Sequence, residues 1–311
     1  MCRLVGLVAA PALPTEKAAP PNPSPGSATL LPSWTHLVGA RHSLRTQSTV
    51  GRVPDGEPAG HADSWGIGWF DAAGNVSLLR ETGWAEQSAF YVFAAETAAR
   101  PANALSGPAI VLLGHLRKAS RGAVTSENAH PVRVDFPRRA QDTRPGWDTL
   151  LIAHNGTIRD PLLSTLRADL AADDVEEARA DSDTVVLAAW LARRVAKNTA
   201  GGGDLFDVLA GALRELIARV PHVAPPGEAR KAYSALNLLV AHGSGDLFAL
   251  RQFSHDGDYY TLFSRPGRPG EGASFVVASE PTDDEPGWEP IPPGELVRFA
   301  GDKTTRTVPV G

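Results

Sequence analysis

Met1-Cys2-Arg3-Leu4-Val5-Gly6-Leu7-Val8 opens the chain and carries its single cysteine. Three readings of Cys2 compete. It can be a chance residue ahead of a first strand. It can be a lipidation site beside an apolar stretch. It can also be an N-terminal nucleophile, exposed when an initiator methionine ahead of a small residue is removed. In that case its own α-amine serves as general base. An α-amine titrates at about 8 and a thiol at about 8.5, so proton transfer between them, through a water, is nearly isoenergetic. Leu4–Leu13 follows Arg3 and is apolar, but it is short, broken by Pro11 and followed by Pro-rich polar sequence, unlike a signal peptide. Leu4, Val5, Leu7 and Val8 read better as a buried strand.

Outward from this strand, residues 11–28 carry six prolines and read as a surface loop. A short helix is expected around Leu37–Leu44. Trp65–Phe70 and Val76–Arg80 read as strands joined by a turn at Asp71–Asn75. Ser88–Arg100 has helical spacing, with Phe90, Phe93 and Ala94 on one face. Ala109–Leu116 is a continuous apolar run and reads as a buried strand, followed by a charged loop over 135–148 and a strand over Leu150–His154. Helices are expected over Pro161–Leu170, Ser182–Ala196 and Asp204–Arg219, and a loop over 221–231. Ala235–His242, Leu247–Gln252, Tyr259–Phe263, Ser274–Ser279 and Leu296–Phe299 read as strands. No internal repeat and no linker-like break in composition divides the chain.

Composition narrows the function classes. Of 311 residues 42% are hydrophobic, enough for a sizeable core, yet no apolar run approaches the ~20 residues that span a bilayer. Lys+Arg total 30 against 35 Asp+Glu, a net charge of −5, which disfavours nucleic-acid binding. One cysteine permits no internal disulfide, which fits a reducing, cytoplasmic setting.

Four constellations can carry chemistry. Arg117, at the end of the 109–116 run, is placed to clamp a carboxylate, though an isolated arginine there is more often a surface ion-pair partner. Asn128-Ala129-His130-Pro131 is a polar turn. His154-Asn155-Gly156 follows a strand; Asn-Gly is first a turn signal, but a side-chain amide and a glycine N–H aimed at one point also make an oxyanion hole. Asp181 or Ser182 can N-cap the helix that follows, and a carboxylate held there can receive an ammonium group.

In this order the motifs resemble the class II glutamine amidotransferases, a branch of the N-terminal-nucleophile hydrolases. The resemblance runs from Met1-Cys2-Arg3 through His61-Ala62-Asp63-Ser64-Trp65-Gly66-Ile67-Gly68-Trp69, Gly114-His115-Leu116-Arg117-Lys118-Ala119-Ser120, Ser126-Glu127-Asn128-Ala129-His130-Pro131 and Ala153-His154-Asn155-Gly156 to Asp181-Ser182-Asp183. Ala278-Ser279-Glu280-Pro281 with Gly287-Trp288, together with Trp65–Trp69, points to the YafJ-type branch, which includes the γ-glutamyl hydrolase of ergothioneine biosynthesis and a glutathione-degrading subunit.

The resemblance implies an α+β fold, an αββα four-layer sandwich of two mainly antiparallel sheets flanked by helices. It forms a single domain over 2–300, with 11–28 and 135–148 as loop insertions. It implies Cys2 as nucleophile on a γ-glutamyl carbonyl, with Asn155 and Gly156 as the oxyanion hole. Arg117 would hold the substrate α-carboxylate and Asp181 its α-ammonium. Ser120 would line the glutamate pocket, and His130, in the substrate-side turn, is expected to serve structure. Lys118 and Arg121 depart from the Trp and His of many synthase-linked members. No metal-ligand cluster, dinucleotide fingerprint or phosphate loop is present, so no cofactor is expected. The expected partners are a small-molecule substrate, glutamine or a γ-glutamyl amide, and a synthetase or amidase protein; nucleic acid and membrane are not expected. Hydrolysis of a γ-glutamyl amide through a thioester is favoured. Ammonia supply to a separate synthetase and a non-catalytic binding module are the alternatives.

Overall fold

The computed structural model describes residues 2–9, 32–99, 109–137, 146–173, 175–199, 202–268 and 271–311. The expected loop 11–28 lies outside these residues, as does the 138–145 part of the expected loop 135–148. Thirteen strands are described: β1 (Arg3–Ala9), β2 (Ser64–Asp71), β3 (Val76–Thr82), β4 (Ala109–Arg117), β5 (Val132–Pro137), β6 (Trp147–Ile158) and β7 (Tyr233–His242) come first. Then follow β8 (Leu247–Arg251), β9 (Phe263–Pro266), β10 (Ala273–Ala278), β11 (Glu289–Pro290), β12 (Glu295–Phe299) and β13 (Thr305–Pro309). One sheet has the order β11-β9-β10-β1-β4-β2-β3 and the other β13-β12-β8-β7-β6-β5. The pairings within both are antiparallel.

Antiparallel sheets usually wet one face and then alternate apolar with polar. Here β1, β4 and β6 are apolar on both faces because each sheet is covered twice. Leu4, Val8, Val111 and Leu113 meet Leu151, Ala153, Leu239 and Leu247 between the sheets. Val5, Leu7, Leu112 and Leu116 point the other way, against Leu37, Leu44, Tyr91 and Ala94. These come from the helical turn that follows α1 (Pro32–Trp34), from α2 (Leu44–Val50) and from α3 (Ala89–Ala99). On the far side, Leu150, Ile152, Leu236 and Leu238 pack on α4 (Asp160–Ala172), α5 (Asp183–Thr199) and α6 (Leu205–Ala218) through Leu163, Val186, Trp190 and Leu213. The result is the α-β-β-α layering the sequence resemblance implies. Among the described residues no helix is long and apolar enough to cross a membrane.

Several local expectations change. Helix α3 turns Tyr91, Ala94, Ala95 and Ala98 inward and leaves Phe90 and Phe93 exposed. Alanines let the helix lie close to the sheet, and bulk at 90 and 93 does not select the face. The helix expected around Leu37–Leu44 is broken at 40–43, where the Ser43 hydroxyl accepts from Thr46 N and starts α2. Tyr259 and Tyr260 are not strand: both amides donate to the Asp256 carbonyl in a turn, at 2.9 Å, so the strand begins at Phe263. The charged stretch after 134 is partly strand, since Asp135–Pro137 pairs with Trp147–Thr149. As the sheet's edge, β5 tolerates Pro137 and benefits from charge. The loop at 221–231 contains α7 (Val220–Val223) and a helical turn over Ala229–Lys231. Strand β13 is polar and mostly exposed, so no apolar pattern announces it.

Candidate active site

Period-two alternation carries Cys2 and Asn155 to the same place. Leu4 and Val8 face the inter-sheet core, and Cys2 lies two residues before Leu4; Leu151 and Ala153 face it from β6, and Asn155 lies two beyond. The two meet at one end of the sandwich. Cys2 N donates to Asn155 Oδ1 at 3.0 Å. With Oδ1 so engaged, Asn155 Nδ2 is buried with no hydrogen-bond partner among the described residues. A buried amide left as an unmatched donor costs stability, roughly 1–3 kcal/mol, and so marks a place where a ligand oxygen would be welcome.

Gly156 follows inside the strand rather than in the turn that Asn-Gly suggests, because Asn155 and Gly156 pair with Asn237 and Leu236 of β7. A Cβ at Gly156 would lie 2.0 Å from the Ala235 carbonyl oxygen, so the close crossing demands glycine. Neighbouring His154 is pinned by both ring nitrogens, to Thr184 Oγ1 and the Ala235 carbonyl, each at 3.0 Å. Asp183 at the start of α5 accepts from Ile158 N at 2.7 Å and ties the end of β6 down. The strand segment that carries Asn155 is therefore held from three sides.

Arg3 braces the other partner. Its guanidinium is buried, donates to the Cys2 carbonyl at 3.0 Å, and pairs with Glu280 at 2.5 Å. It also meets the Arg52 carbonyl and the Tyr259 hydroxyl, with Tyr259's ring 5.3 Å away. Burial pushes the Tyr259 phenol up to about 12, with Arg3 opposing. Ser279 Oγ accepts from Leu4 N at 3.0 Å and Ser279 N donates to the Leu4 carbonyl. The Ala278–Pro281 motif, to which sequence reasoning attached no role, thus clasps the N-terminal strand.

Arg117 and Asp181 converge on one residue, Ala123. Arg117, buried, donates to the carbonyls of Ala123 at 2.8 Å and Arg121 at 2.6 Å. Asp181 accepts from Ala123 N at 2.8 Å and Asn128 Nδ2 at 3.0 Å, and these bonds hold its carboxyl below the usual range. Ser182, not Asp181, caps α5, through its Oγ on Val185 N. Ser120 Oγ lies 2.6 Å from Thr157 Oγ1, next to Gly156. His130 is buried and its Nδ1 meets Nε2 of His115, on β4, at 3.0 Å.

His36, Glu271 and Asp283 form a separate group of metal-ligand type. The Arg265 guanidinium sits among them, 2.7 Å from Glu271 and 2.9 Å from Asp283, and supplies the positive charge.

Buried histidines give the molecule an acid limit. Burial, then the Arg3 charge, lowers His61 to about 2, and burial holds His115 and His130 well below their usual range. Unfolded rings take a proton near pH 6.5, so below that pH the unfolded state binds more protons and stability falls. Each ring contributes about 1.4 kcal/mol per pH unit, and the three together about 4. Urea unfolding between pH 7 and pH 5 should show this loss, and His61→Leu should make the slope shallower. A flat profile excludes the neutral buried rings.

Comparisons with known proteins bear on this geometry. Residues 44–310 match the family model described as glutamine amidotransferases class-II. The glutamine–fructose-6-phosphate aminotransferases [isomerizing] of Mycolicibacterium smegmatis and Mycolicibacterium paratuberculosis are each 30% identical over 190 residues. That alignment covers 60% of this chain and 27% of theirs, so it spans about a quarter of these curated relatives. Among solved structures, the allosteric regulatory enzyme of purine biosynthesis aligns over 100% of this chain and 49% of its own, with TM-score 0.60 and 17% identity. Glutamine phosphoribosylpyrophosphate amidotransferase from B. subtilis aligns over the same shares with TM-score 0.58 and 16% identity. At these identities the structural likeness is one of fold.

Proposed function

The chain belongs to the class II glutamine amidotransferases, and on that premise we propose that it cleaves a γ-glutamyl amide with the Cys2 thiol once Met1 is removed. The observation that supports this most is the Cys2–Asn155 contact, with Asn155 Nδ2 buried and unmatched beside it. In this reading residues 2–300 act as one amidotransferase domain.

The steps follow from these groups. The freed α-amine of Cys2, oriented by Asn155 Oδ1, takes the thiol proton. The sulfur attacks the γ-carbonyl carbon, and the oxygen becomes an oxyanion received by Asn155 Nδ2 and the Gly156 N–H. The C–N bond then breaks, and the ammonium at Cys2 returns its proton to the leaving nitrogen. Water, giving a proton to the same amine, attacks the γ-glutamyl thioester, releasing glutamate and restoring the thiol. Arg117 receives the substrate α-carboxylate and Asp181 its α-ammonium, with Ser120 at the pocket wall. Both charges are engaged with residues 121–123 in the structure, so the substrate head must share or displace those bonds. His130 supports the turn from below rather than touching the substrate.

Intact-mass analysis tests this. Diazo-oxo-norleucine should add once, on Cys2, in protein lacking Met1. N-acetylglutamine should be turned over at least 10²-fold less well than its free-amine parent, because it leaves Asp181 unpaired. Retained Met1 with unlabelled Cys2 would favour a non-catalytic binding module. A second reading is ammonia delivery to a separate synthetase; the two Mycolicibacterium relatives carry glutamine in their names. Glutamine turnover that appears only with a partner protein would establish it.

A further inference from the structure

Beside Gly156 an open cleft of 670 Å³ is walled by Ser120, Arg121, Thr157, Arg159, Arg230 and Lys231. Four of these six are cationic in a chain of net charge −5, and among the described residues the only carboxylate on the cleft wall is Asp160. Two of the cations are already matched: Arg121 pairs with Asp160 at 2.6 Å and Lys231 with Glu228. The guanidiniums of Arg159 and Arg230 make no hydrogen bond or ion pair with any described residue. They come from different places, the junction of β6 and α4 and the turn before β7, and converge on one space.

This space adjoins the chemistry. Thr157 and Arg159 lie two and four residues past Asn155, roughly 7 and 13 Å along an extended strand. Thr157 N is fixed on Ser234 Oγ at 3.0 Å and its hydroxyl on Ser120, so the near wall is rigid. Tyr260 lies within electrostatic reach of both Cys2 and Arg159, and meets His255, on the cleft wall, edge to face at 6.4 Å. In the reading above the α-amino and α-carboxyl ends of a glutamyl group go to Asp181 and Arg117, neither of which lines the cleft. What remains to fill the cleft is the portion of the substrate beyond the scissile nitrogen.

We propose that the leaving amine carries an anionic group, a carboxylate or a phosphate monoester, which Arg159 and Arg230 receive in this cleft. The inference rests on the γ-glutamyl amide reading above and names its substrate class. A planar guanidinium pairs either anion bidentately, and two of them in one cleft raise the local concentration of anionic substrate. A leaving group of two residues extends its carboxylate about 7 Å beyond the scissile nitrogen, the span to the Thr157–Arg159 wall. Glutamine, whose leaving group is ammonia, leaves the cleft empty.

The test compares charged and neutral leaving groups on purified protein alone. One pair is γ-glutamylglycylglycine and its C-terminal amide; the other is γ-glutamyl-O-phosphoethanolamine and γ-glutamylethanolamine. The charged member of at least one pair should have kcat/KM about 10-fold higher or more at low ionic strength, a preference that shrinks as salt is added. Which pair shows it identifies the anion. In the double variant Arg159→Gln, Arg230→Gln the charged-to-neutral ratio should fall toward one; both side chains are exposed, and circular dichroism verifies the fold. Turnover of both members of each pair at equal kcat/KM overturns the cleft assignment and leaves the hydrolase reading standing, as does a preference that survives the double variant. No turnover of any of the four, with Cys2 unreactive toward diazo-oxo-norleucine, overturns both.

Discussion

Cys2→Ala lowers kcat by roughly 10⁵–10⁶-fold on every γ-glutamyl substrate, the loss seen when a nucleophile that acts as one unit with its base is removed. The thiol is the single sulfur nucleophile of the chain, and the strand that carries it is fixed independently of it. Arg3 bonds the Cys2 carbonyl, Ser279 holds Leu4 at both its N–H and C=O, and Asn155 takes the Cys2 nitrogen. None of these contacts uses the sulfur. The variant should therefore keep its unfolding free energy within about 1 kcal/mol of the parent, the scale of losing one small buried atom group. Rate measurement by glutamate release and unfolding by urea decide the matter together. Residual turnover above about a hundredth of the parent would place the nucleophile elsewhere.

The layers of the fold were legible where strands are apolar on both faces. Leu4–Val8 and Ala109–Leu116 are continuous runs because one face meets the second sheet and the other meets helices. The same patterning cannot say that such runs pair antiparallel, since double burial is also the mark of parallel sheets. That feature of the expected fold came from the resemblance. Local rules failed where tertiary contacts outweigh them. Asn155-Gly156 is good turn sequence, yet the crossing of Ala235 keeps it in β6. Tyr259-Tyr260 is good strand sequence, yet Asp256 closes a turn beneath both amides.

The site divides in the same way. Cys2, Arg117, Asn155 and Asp181 stand in short motifs that can be recognised one at a time. Their setting is assembled from residues far apart in the chain. Arg3 draws on Arg52, Tyr259 and Glu280, and the cationic cleft on residues 121, 159, 230 and 231. No spacing rule links such positions, because the sheets bring them together only after β1, β6 and β10 have paired. In the proposed reading Asp181 combines a structural with a chemical role. Its bonds to Ala123 and Asn128 are those of a loop anchor, and they also keep it ionised where an ammonium group would need it.

Asn155→Ala should lower kcat by 10²–10³-fold, about 2.7–4 kcal/mol of transition-state stabilisation, the usual loss for one oxyanion donor. KM should move far less, because Nδ2 has its full effect only when charge develops on the oxygen. Asn155 is also the acceptor for the Cys2 nitrogen, so alanine removes two functions at once. Asn155→Asp separates them. It keeps an acceptor for the α-amine but replaces the donor by a negative charge facing the oxyanion. If stabilisation of the oxyanion dominates, Asp should be as slow as Ala or slower; if orientation of the amine dominates, Asp should recover most of the rate. Stability gives an independent reading. In the resting protein Nδ2 is a buried donor without a partner, an arrangement that weakens the fold. Alanine removes that unmatched group, but it leaves a small cavity and takes the acceptor from the Cys2 nitrogen, one gain against two losses of similar size. Asn155→Ala should therefore unfold within about 2 kcal/mol of the parent while losing most of its activity, the pattern of a residue kept for its chemistry. Loss of several kcal/mol of stability with kcat intact would make Asn155 a structural side chain and remove the oxyanion hole from this site.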